Sequence, residues 1–218
     1  MPTPEIASTY LDARRRIDDL VRPLAADDLA RPVPACPGWT VHGVVSHLVG
    51  IVDWAGAGRL QGLPTDDDTA AQVAERVDVP TVELLDHWAD TAPGMADFGA
   101  AADIWPIAID AVTHEHDIRH ALGDRAGRDE PAIELLAGVL LGSWSPSRTV
   151  QVVTPSRTAT CGADGEPLTL RTTDFEVLRM RLGRRSRRQL AALDWSDDPG
   201  DVLDEVAVFP PAELDIEE

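Results

Sequence analysis

The chain has 218 residues, 44% hydrophobic and 26% charged, enough for one large core or two small ones and ordinary for a globular protein. Its 38 acidic residues face 19 basic ones, all of them arginine, for a formal net charge of −19. Such a surface repels phosphate backbones and anionic lipid, so neither nucleic acid nor a membrane is an expected partner. No apolar run approaches the roughly 20 residues a bilayer-spanning helix needs. The N-terminus shows no basic segment followed by an apolar stretch. Cys36 and Cys161 lie far apart and form no CxxC pair, which suits a reduced compartment. The expected setting is therefore a soluble cytoplasmic protein.

In chain order, Ile6, Tyr10, Ala13, Ile17, Leu20, Val21 and Leu24 recur at steps of three and four and predict a first helix, ending before RPVPACPGW. Thr40 is the expected N-cap of a second, carrying Val41, Val44, Val45, Leu48 and Val52. The Gly- and Asp-rich stretch GAGRLQGLPTDDDT reads as a loop. A third helix begins near Pro80 and Thr81, with Val82, Leu85, Trp88, Ala89 and Ala92 as its apolar positions. The fourth has Pro106 near its start and Gly123 just past its end, with Ile104, Ile107, Ala108, Ala111, Ile118 and Leu122 as its stripe. Four amphipathic helices without an intervening strand pattern predict an antiparallel four-helix bundle over residues 1–125.

Beyond it the character changes. A helical stretch at Ile133–Leu141 leads into a β-branched segment in which ADGEP separates two candidate strands. Helical periodicity then returns in TDFEVLRMRLGRRSRRQLAAL, with Thr173 as the expected cap. Residues 126–218 thus read as a small α+β domain, and the chain as a whole as mainly α.

The segment DAVTHEHDIRHALG is the richest in chemistry. At about 100° per residue, Asp110, His114 and Asp117 share one flank of the fourth helix's stripe, whereas His116 and His120 fall on the opposite, solvent side. Asp110 and His114 are four apart and can address one point. A third ligand must come from another helix, and His47, beside Val44, Leu48 and Ile51, is suitably placed. A His/carboxylate/His set with an open position suits zinc or another divalent metal. The plainer alternative makes these structural histidines, with Asp110 capping or pairing with a nearby arginine and Asp117 pairing with Arg14 or Arg119. Glu115 lies nearer the middle of the stripe, as a buried carboxylate or a rival ligand. Trp39 reads as a staple holding the loop on the bundle or as a pocket wall, and Cys36 as a plain buried cysteine.

Three blocks, ACPGWTVHGVVSHLVG, DAVTHEHDIRHALG and TDFEVLRMRLGRRSRRQLAALDWSDDP, together resemble the mycothiol-dependent maleylpyruvate isomerase family. The resemblance spans nearly the whole chain and implies a DinB-like four-helix bundle with a small C-terminal α+β domain. It implies a divalent metal, usually zinc, held by a His of the second helix and by a Glu and a His four apart in the fourth. Those positions fall on His47, Asp110 and His114, with Asp110 one methylene shorter than the family's Glu. Asp117 and Arg119 match the HxxDxR pattern that follows, which implies that Asp117 orients a metal-bound histidine. Arg184 and Arg185 are candidates for receiving an anionic substrate or a thiol's carboxylate.

The expected function is a metal-dependent isomerase or S-transferase that uses mycothiol or a related small thiol on an electrophilic small-molecule substrate, acting as a monomer or homodimer. The alternatives are a non-catalytic ligand-binding bundle with a degenerate metal site, or a metal-dependent hydrolase.

Overall fold

The computed structural model describes residues 3–60 and 62–218. Met1, Pro2 and Gln61, which fall in the N-terminal stretch and the Gly- and Asp-rich connection read above, lie outside them. The chain divides after Asp124 into a helical unit and a smaller α+β unit.

The helical unit holds α1 (Pro4–Val21), the one-turn α2 (Ala26–Leu29), α3 (Val41–Gly56), α4 (Asp66–Ala74), α5 (Thr81–Ala102) and α6 (Pro106–Ala121). Helices α1, α3, α5 and α6 are the four expected bundle helices, and α1 packs on both α5 and α6. Ile6, Tyr10, Ala13, Ile17 and Val21 of α1 are all buried, as their spacing requires. Trp88 fills the centre and donates its Nε1–H to Tyr10 Oη at 2.8 Å, so the buried indole leaves no polar group unsatisfied. Thr40 caps α3 by accepting from the Gly43 amide at 3.2 Å. On α5 the inner face runs through Leu84, Leu85, Trp88, Ala92 and Met95; Val82 and Ala89, expected inside, are exposed.

The stretch read as a loop contains α4, whose nine residues start at a Thr65–Asp68 capping box. Three successive aspartates in its first turn suit the positive end of the helix dipole. Short helices of this kind depend on packing more than on propensity, and α4 packs directly on α3 at Gly50. A Cβ built at Gly50 would lie 2.7 Å from Gln72 Cβ and 2.9 Å from Gln72 Cγ. Arg76, the second residue after α4, is tied back to α3 through Asp53 at 2.5 Å, and His87 of α5 reaches the same carboxylate at 2.7 Å.

In the second unit, α7 (Pro131–Gly142) precedes β1 (Val150–Val153), β2 (Thr158–Cys161) and β3 (Leu168–Arg171). Helices α8 (Asp174–Arg181) and α9 (Arg187–Ala191), the two-residue β4 (Asp194–Trp195) and a 3₁₀ turn (Gly200–Glu205) follow. The sheet order is β2-β1-β3-β4, with β1 and β3 parallel and the outer pairs antiparallel. The first candidate strand is in fact split at Thr154–Arg157, where the Thr154 amide donates to the Arg157 carbonyl and turns β1 into β2. ADGEP is the β2–β3 connection. Thr173 caps α8 as expected, and Gly183, at φ +76°, breaks the long helical run before Ser186 and Gln189 cap α9. Val150, Val152, Leu168 and Leu170 of the sheet and Ala137, Leu141, Val177 and Met180 of α7 and α8 form a core of the unit's own. Among the described residues no helix is long and apolar enough to cross a membrane.

Replacing Gly50 by Ala is expected to force α4 away from α3 and to lower unfolding stability by about 1–3 kcal/mol, read by urea denaturation. A second test concerns Asp53. Burial raises its carboxyl, but the hydrogen bonds to Arg76 and His87 outweigh that and hold it below the usual carboxylate range. A carboxylate depressed in the fold stabilises fully above its unfolded value of about 3.9 and loses that contribution as pH falls through the lower folded value. Asp53→Asn is therefore expected to melt below the wild type at neutral pH and to close the gap in acid, followed by Tm across an acid titration.

Candidate metal centre

Alanine 111 to isoleucine 118 are all buried, so the middle of α6 is covered on every face. That overturns the wheel's placement of His116 toward solvent: it is only 5% exposed, and His120 is partly buried. A wheel assigns solvent to the face opposite the apolar stripe, which fails where neighbours cover both faces. Glu115, fully buried, is committed elsewhere. Its carboxylate accepts from Arg16 of α1 at 2.9 and 3.0 Å and from Arg119 one turn on at 3.0 Å, and Arg119 also pairs with Asp124. This network joins α1 to α6 and supplies no free donor to a ligand.

His47 on α3 and Asp110 and His114 on α6 come together. Asp110 Oδ2 lies 3.6 Å from His47 Nε2, and its Oδ1 lies 3.4 Å from His114 Nε2. The two imidazoles stand edge to face with centroids 5.2 Å apart. Although Asp110 carries a short side chain, its carboxylate spans the gap between both rings. Both imidazoles are buried, while Asp110 keeps 31% of its side chain accessible.

The outer nitrogens of both rings are occupied. His47 Nδ1 donates to Gln72 Oε1 at 2.9 Å, and His114 Nδ1 donates to Asp117 Oδ2 at 3.0 Å. With those protons on Nδ1, the lone pairs of both Nε2 atoms face the Asp110 carboxylate. Three electron-rich groups thus converge, and only a proton or a metal cation between them removes the repulsion. Protons leave their mark on the pKa values. Burial works against ionised Asp110, but His47 and His114 outweigh it and hold it far below the usual carboxylate range. Burial likewise opposes a charged His114, yet Cys36, Asp110 and Asp117 overcome it and push the imidazole well above its ordinary value.

The donor set suits a borderline divalent ion, with each histidine held in one tautomer by a hydrogen bond behind it. Gln72 was missed in the sequence because it sits on α4, which reads as loop; the signal was the capping box at Thr65 and Asp68. The Trp39 ring lies 5.0 Å from His47 and 6.2 Å from His114, so it walls the histidines as well as fastening its loop. Cys36 is not isolated: its Sγ lies 3.5 Å from Asp117 Oδ2 and 3.7 Å from His114 Nδ1. Asp117 Oδ2 is in contact with both His114 and Cys36.

Arg184 and Arg185 belong to the C-terminal unit. Arg185 is buried and pairs with Glu176 at 2.7 Å and Glu218 at 3.2 Å, and Arg184 donates to the Leu182 carbonyl at 2.7 Å.

Residues 10–108 match the family model described as the mycothiol maleylpyruvate isomerase N-terminal domain. The resemblance drawn from the sequence is thereby shown. His47 lies inside the matched stretch, with Asp110 and His114 just beyond its end. A crystal structure of the mycothiol-dependent maleylpyruvate isomerase aligns with a TM-score of 0.53 at 13% identity, covering 84% of this chain and 90% of that one. A histidine-to-alanine mutant of that isomerase aligns over the same shares, with a TM-score of 0.54 at 12% identity. Both show that the fold of that isomerase is shared. No curated protein matches the sequence.

Removing Glu115 would take the shared, fully buried carboxylate away from Arg16 and Arg119 and break the link between α1 and α6. Glu115→Ala is expected to cost about 1–3 kcal/mol of stability, measured by chemical denaturation.

Proposed function

We propose that this protein is a metal-dependent enzyme that uses mycothiol or a related small thiol to isomerise, or to become joined to, a small electrophilic substrate. The observation that carries the reading is the convergence of His47 Nε2, Asp110 and His114 Nε2, each imidazole held in one tautomer from behind. The likeness to the mycothiol maleylpyruvate isomerase N-terminal domain supports the choice of a thiol as co-reactant.

When bound, the divalent ion, zinc by its donor set, supplies positive charge that keeps a thiol ionised at neutral pH, and the thiolate supplies a reversible nucleophile. The chain's own residues do the rest. His47, Asp110 and His114 hold the ion. Gln72 and Asp117 keep the Nδ1 protons in place, so that both Nε2 lone pairs stay available. Trp39 shields the two imidazoles from water on one side. The partly exposed Asp110 marks the side from which thiol and substrate approach. The cytoplasm, where small thiols stay reduced, is the compartment this chemistry requires.

Elemental analysis of untagged protein is expected to find close to one divalent ion per chain. His47→Ala and His114→Ala should each abolish it, while His120→Ala should retain it. Stoichiometric metal in both of the first two variants overturns the ligand assignment. Turnover of an electrophile should require added thiol; turnover without any thiol would make the protein a hydrolase.

A further inference from the structure

His114 is approached from both of its ring nitrogens. Its Nε2 faces Asp110, and its Nδ1 faces a second, separate group made of Cys36 and Asp117. All three of Cys36, His114 and Asp117 are buried, with the candidate ligand atoms within 4.8 Å of one another. The separations are 3.0 Å for Nδ1–Oδ2, 3.5 Å for Sγ–Oδ2 and 3.7 Å for Sγ–Nδ1. Tetrahedral zinc-like coordination, with bonds of about 2.0–2.3 Å, places ligand atoms roughly 3.3–3.7 Å apart. The group therefore already stands close to the spacing of a coordination shell.

Its frame is rigid. Cys36 sits in a tight loop closed by Val33 N–H to Trp39 O at 3.0 Å, Cys36 N–H to Val33 O at 2.9 Å and Trp39 N–H to Cys36 O at 3.0 Å. Gly38, at φ +84°, makes the turn that brings Trp39 back toward Val33. His114 and Asp117 are three apart on α6 and share one face.

The geometry points to a second metal site here, selective for a soft, thiol-seeking ion such as cadmium or cuprous copper. It differs from the first set in its chemistry: a thiolate is the preferred ligand of soft ions, whereas the first set offers only nitrogen and oxygen. On binding, the Cys36 S–H bond breaks and its proton passes to solvent, while the His114 Nδ1–H bond breaks as the ring takes its proton up at Nε2 and stays neutral. Metal–sulfur and metal–nitrogen bonds form in their place, with Asp117 as the third protein donor and no change of oxidation state. The remaining His114 proton is then on Nε2, directed at Asp110 Oδ1. The two sites thus compete for one imidazole, and filling the second withdraws His114 from the first. This site stands independently of the thiol-dependent activity proposed above.

The test is a titration of the full-length, metal-free protein with cadmium, followed by the ultraviolet charge-transfer absorption of a cadmium–thiolate bond. The band is expected in the wild type, in Cys161→Ser and in His47→Ala, which removes only the first set. It should vanish in Cys36→Ser and fall at least tenfold in apparent affinity in Asp117→Asn, with circular dichroism confirming that both variants fold. Absence of the band in the wild type, its persistence in Cys36→Ser, or its loss in folded His47→Ala would each overturn the proposal. Failure of the first metal set would show separately, as wild-type zinc content near zero with the cadmium band intact.

Discussion

The geometry of the helical unit turns on one imidazole held from two sides. His114 is buried, and each of its nitrogens faces a carboxylate, Asp110 at Nε2 and Asp117 at Nδ1. An uncompensated pair of carboxylates around a neutral ring is costly inside a protein. The ring therefore has to carry positive charge or share a cation, and the raised pKa of His114 expresses the first of these states. Packing follows from that requirement. Helix α6 must bring Asp110, His114 and Asp117 to one flank, α3 must place His47 opposite, and the loop before α3 must close Trp39 and Cys36 over the edges.

Helix α4 serves the same arrangement from outside the four-helix core. It contributes one residue, Gln72, whose carbonyl sets the proton on His47. Its approach depends on a glycine at position 50, because any side chain there would meet Gln72 directly. Asp53, Arg76 and His87 then fasten the far end. A nine-residue helix with little intrinsic stability thereby becomes part of the site, held by contact and not by propensity.

Much of this was legible in the sequence. Helical spacing places Ile6, Tyr10, Ala13 and Ile17 inside, and a step of four puts Asp110 and His114 on one face. The bundle and the α+β second unit follow from such local patterns. What periodicity misses are the non-local facts. His116 is buried because α6 is covered on both faces, which no single-helix pattern reports. Helix α4 carries Ala, Gln and Asp where an apolar stripe is expected, so it reads as loop. Cys36 and Asp117 are 81 positions apart, and their contact depends on how the loop before α3 folds back onto α6. The split between β1 and β2 hides in an unremarkable TPSR sequence that lacks a glycine.

The three ligand candidates differ in wetness. The imidazoles are held dry and fixed from behind, while the carboxylate between them retains solvent on nearly a third of its surface. Were the three to hold an ion, as proposed, its release would begin with water replacing Asp110, because both rings are anchored from behind by Gln72 and Asp117. The lability of such an ion would rest on one carboxylate and its affinity on two fixed rings, so that quick exchange and tight binding would coexist in one small site.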